Sequence, residues 1–299
     1  MSKTLSHAKI TPRRSNDRGH ADHGWLNTYH TFSFASYYHP KFESFGSLRV
    51  LNEDRVAPNN GFPTHTHRDA EIFSYILSGE LTHRDSMIKN DSESTPNGGT
   101  GKNDFYRMHR GDVQFTTGGR GISHSETNES PSSLVHFLQI WALPWSKGLT
   151  PRYHTQTFPE EDKRKAFVPI ISPLKAGPGA SREQEESAEP AIPGTIPVHA
   201  DLVFGAGIIT PGGRFEWVVG ASQSKGEEAG VVRKSVGRRV YLHLTMTKGG
   251  KASIKLDGRE DVVLKEGDGA FVEGVKVGDV LGVESTGTEE AEVVILDSD

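Results

Sequence analysis

Apolar residues in this chain come in short runs, cut every few positions by glycine or proline. Thirty-three Gly and sixteen Pro are spread over 299 residues, a pattern that suits strands and turns rather than helices. The most apolar run, Leu134–Leu143, stops at Pro144 and reads as a central strand. The expected fold class is all-β, with room for one large or two ordinary β domains.

Side chains alternate across a strand, so residues two apart share a face. In Gly61-Phe-Pro-Thr-His65-Thr-His67-Arg-Asp-Ala-Glu71, His65 and His67 point the same way. In Gly119-Arg-Gly-Ile-Ser-His124-Ser-Glu126, so do His124 and Glu126. Two such strands meeting inside a small barrel would bring three imidazoles and a carboxylate together. That nitrogen and oxygen set suits one borderline divalent metal ion such as iron, manganese, nickel, copper or zinc, without choosing among them. Two positions of an octahedral ion would stay open for substrate or dioxygen. A single His-x-His pair is more simply a polar strand edge, but two pairs set among glycines favour the metal. Glu71 competes with Glu126 as the fourth donor, and parity does not separate them, because Glu71 also lies an even number of residues from His67.

Composition bounds the remaining choices. A net charge of −5 and a pI near 6.3 give no electrostatic footprint for nucleic acid or an anionic membrane. The absence of cysteine removes disulfides, thiolate zinc sites and cysteine nucleophiles. No apolar h-region opens the chain and no apolar stretch approaches a membrane span, so a soluble protein is expected. Its expected location is the cytoplasm, and its expected state a monomer.

Residues 1–19 are polar and basic and should form a loose arm with one edge strand. His30, Phe32 and Phe34 alternate with Thr31 and Ser33 as in a half-buried strand. Residues 89–104 carry no apolar side chain and are expected to be an exposed loop. Residues 175–198, rich in Pro, Gly, Ser and Glu, read as a disordered insert, and a third polar insert covers Ser222–Glu228. The expected domains are 1–150 with the metal, a linker over 151–200, and a metal-free unit over 201–299. Met108-His-Arg-Gly-Asp-Val-Gln-Phe115 is echoed by Leu264-Lys-Glu-Gly-Asp-Gly-Ala-Phe271, each after a turn glycine, Gly79 and Gly250. The echo suggests two related halves.

With these pieces placed, the sequence resembles the pirin family of bicupins, most densely from Arg18 to Trp141. The stretches that carry the likeness include Arg18-Gly-His-Ala-Asp-His-Gly-Trp-Leu, Leu48-Arg-Val-Leu-Asn-Glu-Asp-Arg-Val and the two histidine segments. The resemblance implies two cupin barrels in tandem, the second resembling the bacterial branch and, with only His199 and His243, holding no metal. It gives the fourth ligand role to Glu126 and leaves Glu71 to orient an imidazole. It also implies a function: dioxygenase cleavage of a flavonol such as quercetin with O2 and release of CO, Glu126 serving as the base. The second function it implies is that of a nuclear transcriptional co-regulator acting through a protein partner. Departures from the motifs are Thr117 where many cupins have proline and two extra residues before His124.

Overall fold

The computed structural model describes residues 5–87, 105–221 and 237–299. The expected loop over 89–104 and the insert over Ser222–Glu228 lie outside the described residues. Two compact units are present, each with one seven-stranded and one four-stranded sheet, the all-β tandem cupin architecture. Among the described residues no helix is long and apolar enough to cross a membrane.

One unit consists of His20–Tyr29 and Leu51–Thr157. Its larger sheet runs in the order Arg152–Thr157, Asp112–Thr117, Glu71–Ser78, Val135–Ala142, Leu48–Val56, Leu26–His30, Gly19–Asp22. Its smaller sheet runs Asn60–His67, Ile122–Asn128, Leu81–Asp85, Tyr106–Met108. Val135–Ala142 is the middle strand of the larger sheet, as its apolar text requires. Its Val135 and Phe137 join Leu26, Val56, Ile76, Leu81 and Met108 in one buried cluster. Each such side chain contributes ~1.5–3 kcal/mol on leaving water.

The other unit consists of the chain up to Gly19, His30–Val50 and Phe158–Asp299. Its larger sheet runs Lys9–Arg13, Gly269–Val275, Arg238–Leu244, Ala291–Ser298, Leu202–Ile209, Val168–Pro173, Ile196–Val198. The smaller runs Arg214–Val218, Val280–Ser285, Ser253–Leu256, Val263–Lys265. The sequence echo has a structural counterpart. Gly111 and Gly267 both take a left-handed conformation, with φ of 86° and 83°. In each case the following aspartate caps the turn: Asp112 Oδ2 accepts from the His109 amide and Asp268 Oδ2 from the Lys265 amide. The two halves use the same glycine-aspartate turn to enter a strand.

Three readings are corrected. First, 151–200 is not a linker. Arg152–Thr157 pairs with Asp112–Thr117 along six residues, while Val168–Pro173 and Ile196–Val198 are strands of the second unit. Second, 175–198 is not disordered. Ser181 and Gln184 form a reciprocal capping box that starts the helix Arg182–Ser187, and a Ser172–Thr195 hydroxyl pair at 2.6 Å ties the segment's return to its sheet. Composition hid a local signal, Ser-x-x-Gln, that outweighs it. Third, the strand expected at His30–Phe34 ends at His30, because the backbone turns through Ala35 at φ 51° and a Phe34–Tyr37 bridge. The N-terminal arm does contain its edge strand, which belongs to the second unit.

That arm strand pairs Lys9–Arg13 with Gly269–Glu273, buries Leu5 and Ala8 in the second unit's core, and places the Leu5 amide on Asp257. Deleting residues 1–13 should therefore lower the thermal midpoint by ~5–10 °C, from the loss of ~3 kcal/mol of burial and pairing. An unchanged midpoint would show that the arm is not structural.

Candidate metal centre

The strand Ile122–Asn128 is bonded on both edges, and its register builds the site. On one side His124 lies opposite His65 and Ser123 opposite Thr66; on the other His124 lies opposite Asp85 and Glu126 opposite His83. Alternation turns all of His65, His67, His83, Asp85, His124 and Glu126 to one face. A bulge separates His124 from Glu126, which faces Phe62 instead of the next alternate residue. The strands pack tightly at Gly61, where a Cβ would lie 2.3 Å from the Glu126 carbonyl oxygen and 2.6 Å from Thr127 Cα. Only glycine fits there without moving the ligand strand.

The side chains converge as the pattern demands. One nitrogen from each of His65, His67 and His124 lies within 4.8 Å of the others. His124 Nε2 is 3.1 Å from His65 Nε2, and the three ring centroids are 4.6–4.8 Å apart. His65 Nδ1 is 2.8 Å from the Pro63 carbonyl oxygen, an atom that can only accept. The proton of neutral His65 is therefore on Nδ1 and its bare Nε2 faces the cluster. Three convergent imidazoles, one with its lone pair already aimed inward, fit a single divalent ion. The rings of His65 and His67 are half-buried, and the Trp141 ring lies nearly perpendicular to His67 at 4.9 Å, forming an apolar wall beside it.

Glu126 is 2 % exposed and is held from the opposite sheet: Ser74 Oγ donates to one oxygen at 3.0 Å and Gln139 Nε2 to the other at 2.8 Å. It lies outside the three-histidine group of mutually close donors. Each carboxylate oxygen retains a lone pair beyond its one hydrogen bond, so its chemistry suits either a donor or a proton acceptor. Glu71 is placed differently. It opens a strand of the larger sheet and accepts from Thr117 Oγ1 at 3.0 Å. The turn through Asp69, at φ 51°, breaks the chain between His67 and Glu71, so parity cannot be counted across it.

The sequence reading missed a second layer. His83 and Asp85 are buried and form with His124 another group of three close donors. His83 Nε2 lies 2.9 Å from His124 Nδ1, and Tyr153 Oη 3.3 Å from His83 Nδ1. The His83-Arg-Asp85 spacing is the same alternate pattern as the two recognised pairs, so the signal was present. Of the other histidines, His20 stacks on Tyr29 at 4.3 Å, a structural role.

Burial dominates the electrostatics. It holds His67 down at about 4, His83 at about 3 and His124 at about 2, with neighbouring imidazoles adding to each depression. Burial lifts Glu126 to about 7, helped by Asp54 and Asp85 and opposed by the bonds from Ser74 and Gln139. At neutral pH the rings are thus neutral and able to coordinate. In the unfolded chain the same rings protonate near 6.5, so the metal-free fold loses stability as pH falls below that value. Wholly buried His83 alone should cost ~1.4 kcal/mol per pH unit between about 6 and 4. Thermal midpoints of metal-free protein should fall across that window, and His83→Gln should flatten the fall. A midpoint indifferent to pH down to 4.5 would contradict neutral burial.

Comparison with known proteins accords with this arrangement. The Pirin family model matches residues 11–142. Quercetin 2,3-dioxygenase of Escherichia coli K12 is 44 % identical over 146 residues, 49 % of this chain and 57 % of that protein, so the chain spans little more than half of that relative's length in the match. A Zymomonas mobilis protein with a provisional quercetin 2,3-dioxygenase name is 32 % identical over 287 residues, 96 % of this chain and 97 % of that one. The crystal structure of the E. coli bacterial pirin YhhW in complex with nickel(II) superposes with a TM-score of 0.70 at 28 % identity, covering 97 % of this chain and 99 % of that one. Near-complete coverage by a relative at 32 % identity, together with the tandem barrels and the two histidine strands, makes the chain a member of the pirin family.

Proposed function

We propose that the protein is a metal-dependent dioxygenase that cleaves a flavonol such as quercetin with O2 and releases CO. The observation that carries the reading is the convergence of His65, His67 and His124 beside an apolar wall and a buried carboxylate of raised pKa. The quercetin dioxygenase names of relatives supply the substrate class. The resident ion is assigned as Fe(II), and nickel(II) is the natural first probe because the pirin YhhW has been solved with it.

When bound by His65, His67 and His124, the ion would supply Lewis-acid polarisation of a hydroxylated aromatic substrate. Glu126 would serve as fourth donor beside the three imidazoles and would act as general base for the flavonol 3-hydroxyl. In the metal-free protein burial lifts Glu126 to about 7, which makes its carboxylate a stronger proton acceptor than an ordinary exposed glutamate. Ser74 and Gln139 keep its oxygens fixed. The indole of Trp141 beside His67 offers an apolar surface for a flat aromatic ring.

Metal-loaded protein should consume O2 with quercetin and release CO. Glu126→Gln keeps the side chain's shape and removes its basicity, so turnover per bound metal should fall ~10²–10⁴-fold. Metal content is measured on the same sample, which separates loss of the ion from loss of the base. Undiminished turnover in metal-loaded Glu126→Gln would remove the base role. No O2 uptake by metal-loaded wild type with any of a panel of flavonols would overturn the proposed activity.

A further inference from the structure

We propose that Tyr153, His83 and His124 form a hydrogen-bonded chain whose direction reverses when the three-histidine site takes up a cation, making His83 a positioning residue for His124. The inference rests on the reading of His65, His67 and His124 as the metal site, and it concerns residues to which that reading gives no role.

The geometry leaves two arrangements. His83 and His124 are 0 % and 1 % exposed, so their ring nitrogens must find partners within the protein rather than in bulk water. Each neutral imidazole carries one N–H and one bare nitrogen. His65 is fixed by the Pro63 carbonyl and presents bare Nε2 to His124 Nε2 at 3.1 Å. Without a cation, two bare nitrogens at that distance would repel. His124 then carries its proton on Nε2 and donates to His65. Its Nδ1 is bare and accepts from His83 Nε2–H at 2.9 Å, and His83 Nδ1 in turn accepts from the Tyr153 hydroxyl at 3.3 Å.

A cation at the site needs the Nε2 lone pair of His124, which moves that ring's proton to Nδ1. His124 now donates to His83 Nε2. The His83 proton must be on Nδ1, where it donates to Tyr153 Oη, and the phenol proton turns away. Every group carries one proton in both arrangements, so nothing is gained or lost within the chain; each ring exchanges one N–H for the other. The ring planes support the alignment, since His83 lies stacked against Tyr153 at 5.5 Å, and Tyr106 packs at a tilt against Tyr153 at 5.6 Å. Outer-shell partners of this kind orient a ligating imidazole and raise its basicity.

The test uses the full chain, labelled with 15N, and two-bond 1H–15N spectra of the histidine rings in metal-free and Zn(II)-loaded forms. The His83 signals are those lost in His83→Gln. His83 should carry its proton on Nε2 without zinc and on Nδ1 with it, while His65 keeps Nδ1–H before loading. In parallel, zinc affinity is measured by chelator competition. His83→Leu, which offers no acceptor, should bind ~10–100-fold more weakly. His83→Gln, whose amide oxygen can accept from Nδ1–H, should recover most of the loss. One His83 tautomer in both states, or unchanged zinc affinity in folded His83→Leu, overturns the inference alone. Two zinc ions per wild-type chain falling to one in His83→Leu would make His83 a ligand and overturn it as well. A wild-type chain that takes up no zinc through His65, His67 and His124 removes the metal reading itself, and the inference with it.

Discussion

The structure depends most on the register of one strand, Ile122–Asn128, against both of its neighbours. A slip of one residue would turn His124 and Glu126 away from the barrel interior and carry them to the opposite face of the sheet. Pairing on two edges fixes that register, and the absence of a side chain at Gly61 lets the partner strand close against the bulge between His124 and Glu126. Three imidazoles, a carboxylate and the deeper His83–Asp85 pair all follow from this one alignment.

The interior so formed holds both apolar and polar side chains. An apolar cluster around Phe137 and Ile76 supplies burial free energy, while the ligand end holds many buried polar groups. Such groups destabilise unless satisfied, and the larger sheet provides partners. Ser74 and Gln139, direct cross-strand neighbours, both reach Glu126, and Thr116 reaches Asp85. The same burial that demands these partners also sets the chemistry: it keeps the rings neutral and brings Glu126 to about 7. Packing and reactivity are consequences of one desolvated environment.

Much of this was legible in residue order because strands convert parity into direction. His65, His67, His124 and Glu126 shared a face on paper and share it in the barrel. Parity failed at Glu71, where the turn through Asp69 starts a new strand in the other sheet. His83 and Asp85 had the right spacing but no glycine frame to single them out. Ser74, Gln139 and Tyr153 were beyond reach, since they meet the site through pairings distant in sequence. In the second unit, composition concealed the capping box at Ser181, and no local pattern announces that Lys9–Arg13 pairs with residues some 260 positions away.

The account's central claim is that one ion sits among His65, His67 and His124. Anomalous diffraction at the nickel edge, from crystals of nickel-loaded protein, tests it directly. The account predicts one strong peak per chain, ~2.0–2.2 Å from a nitrogen of each of the three rings. A peak between His83 and Asp85 with none at His65 and His67, or no ordered peak in the barrel, would contradict it.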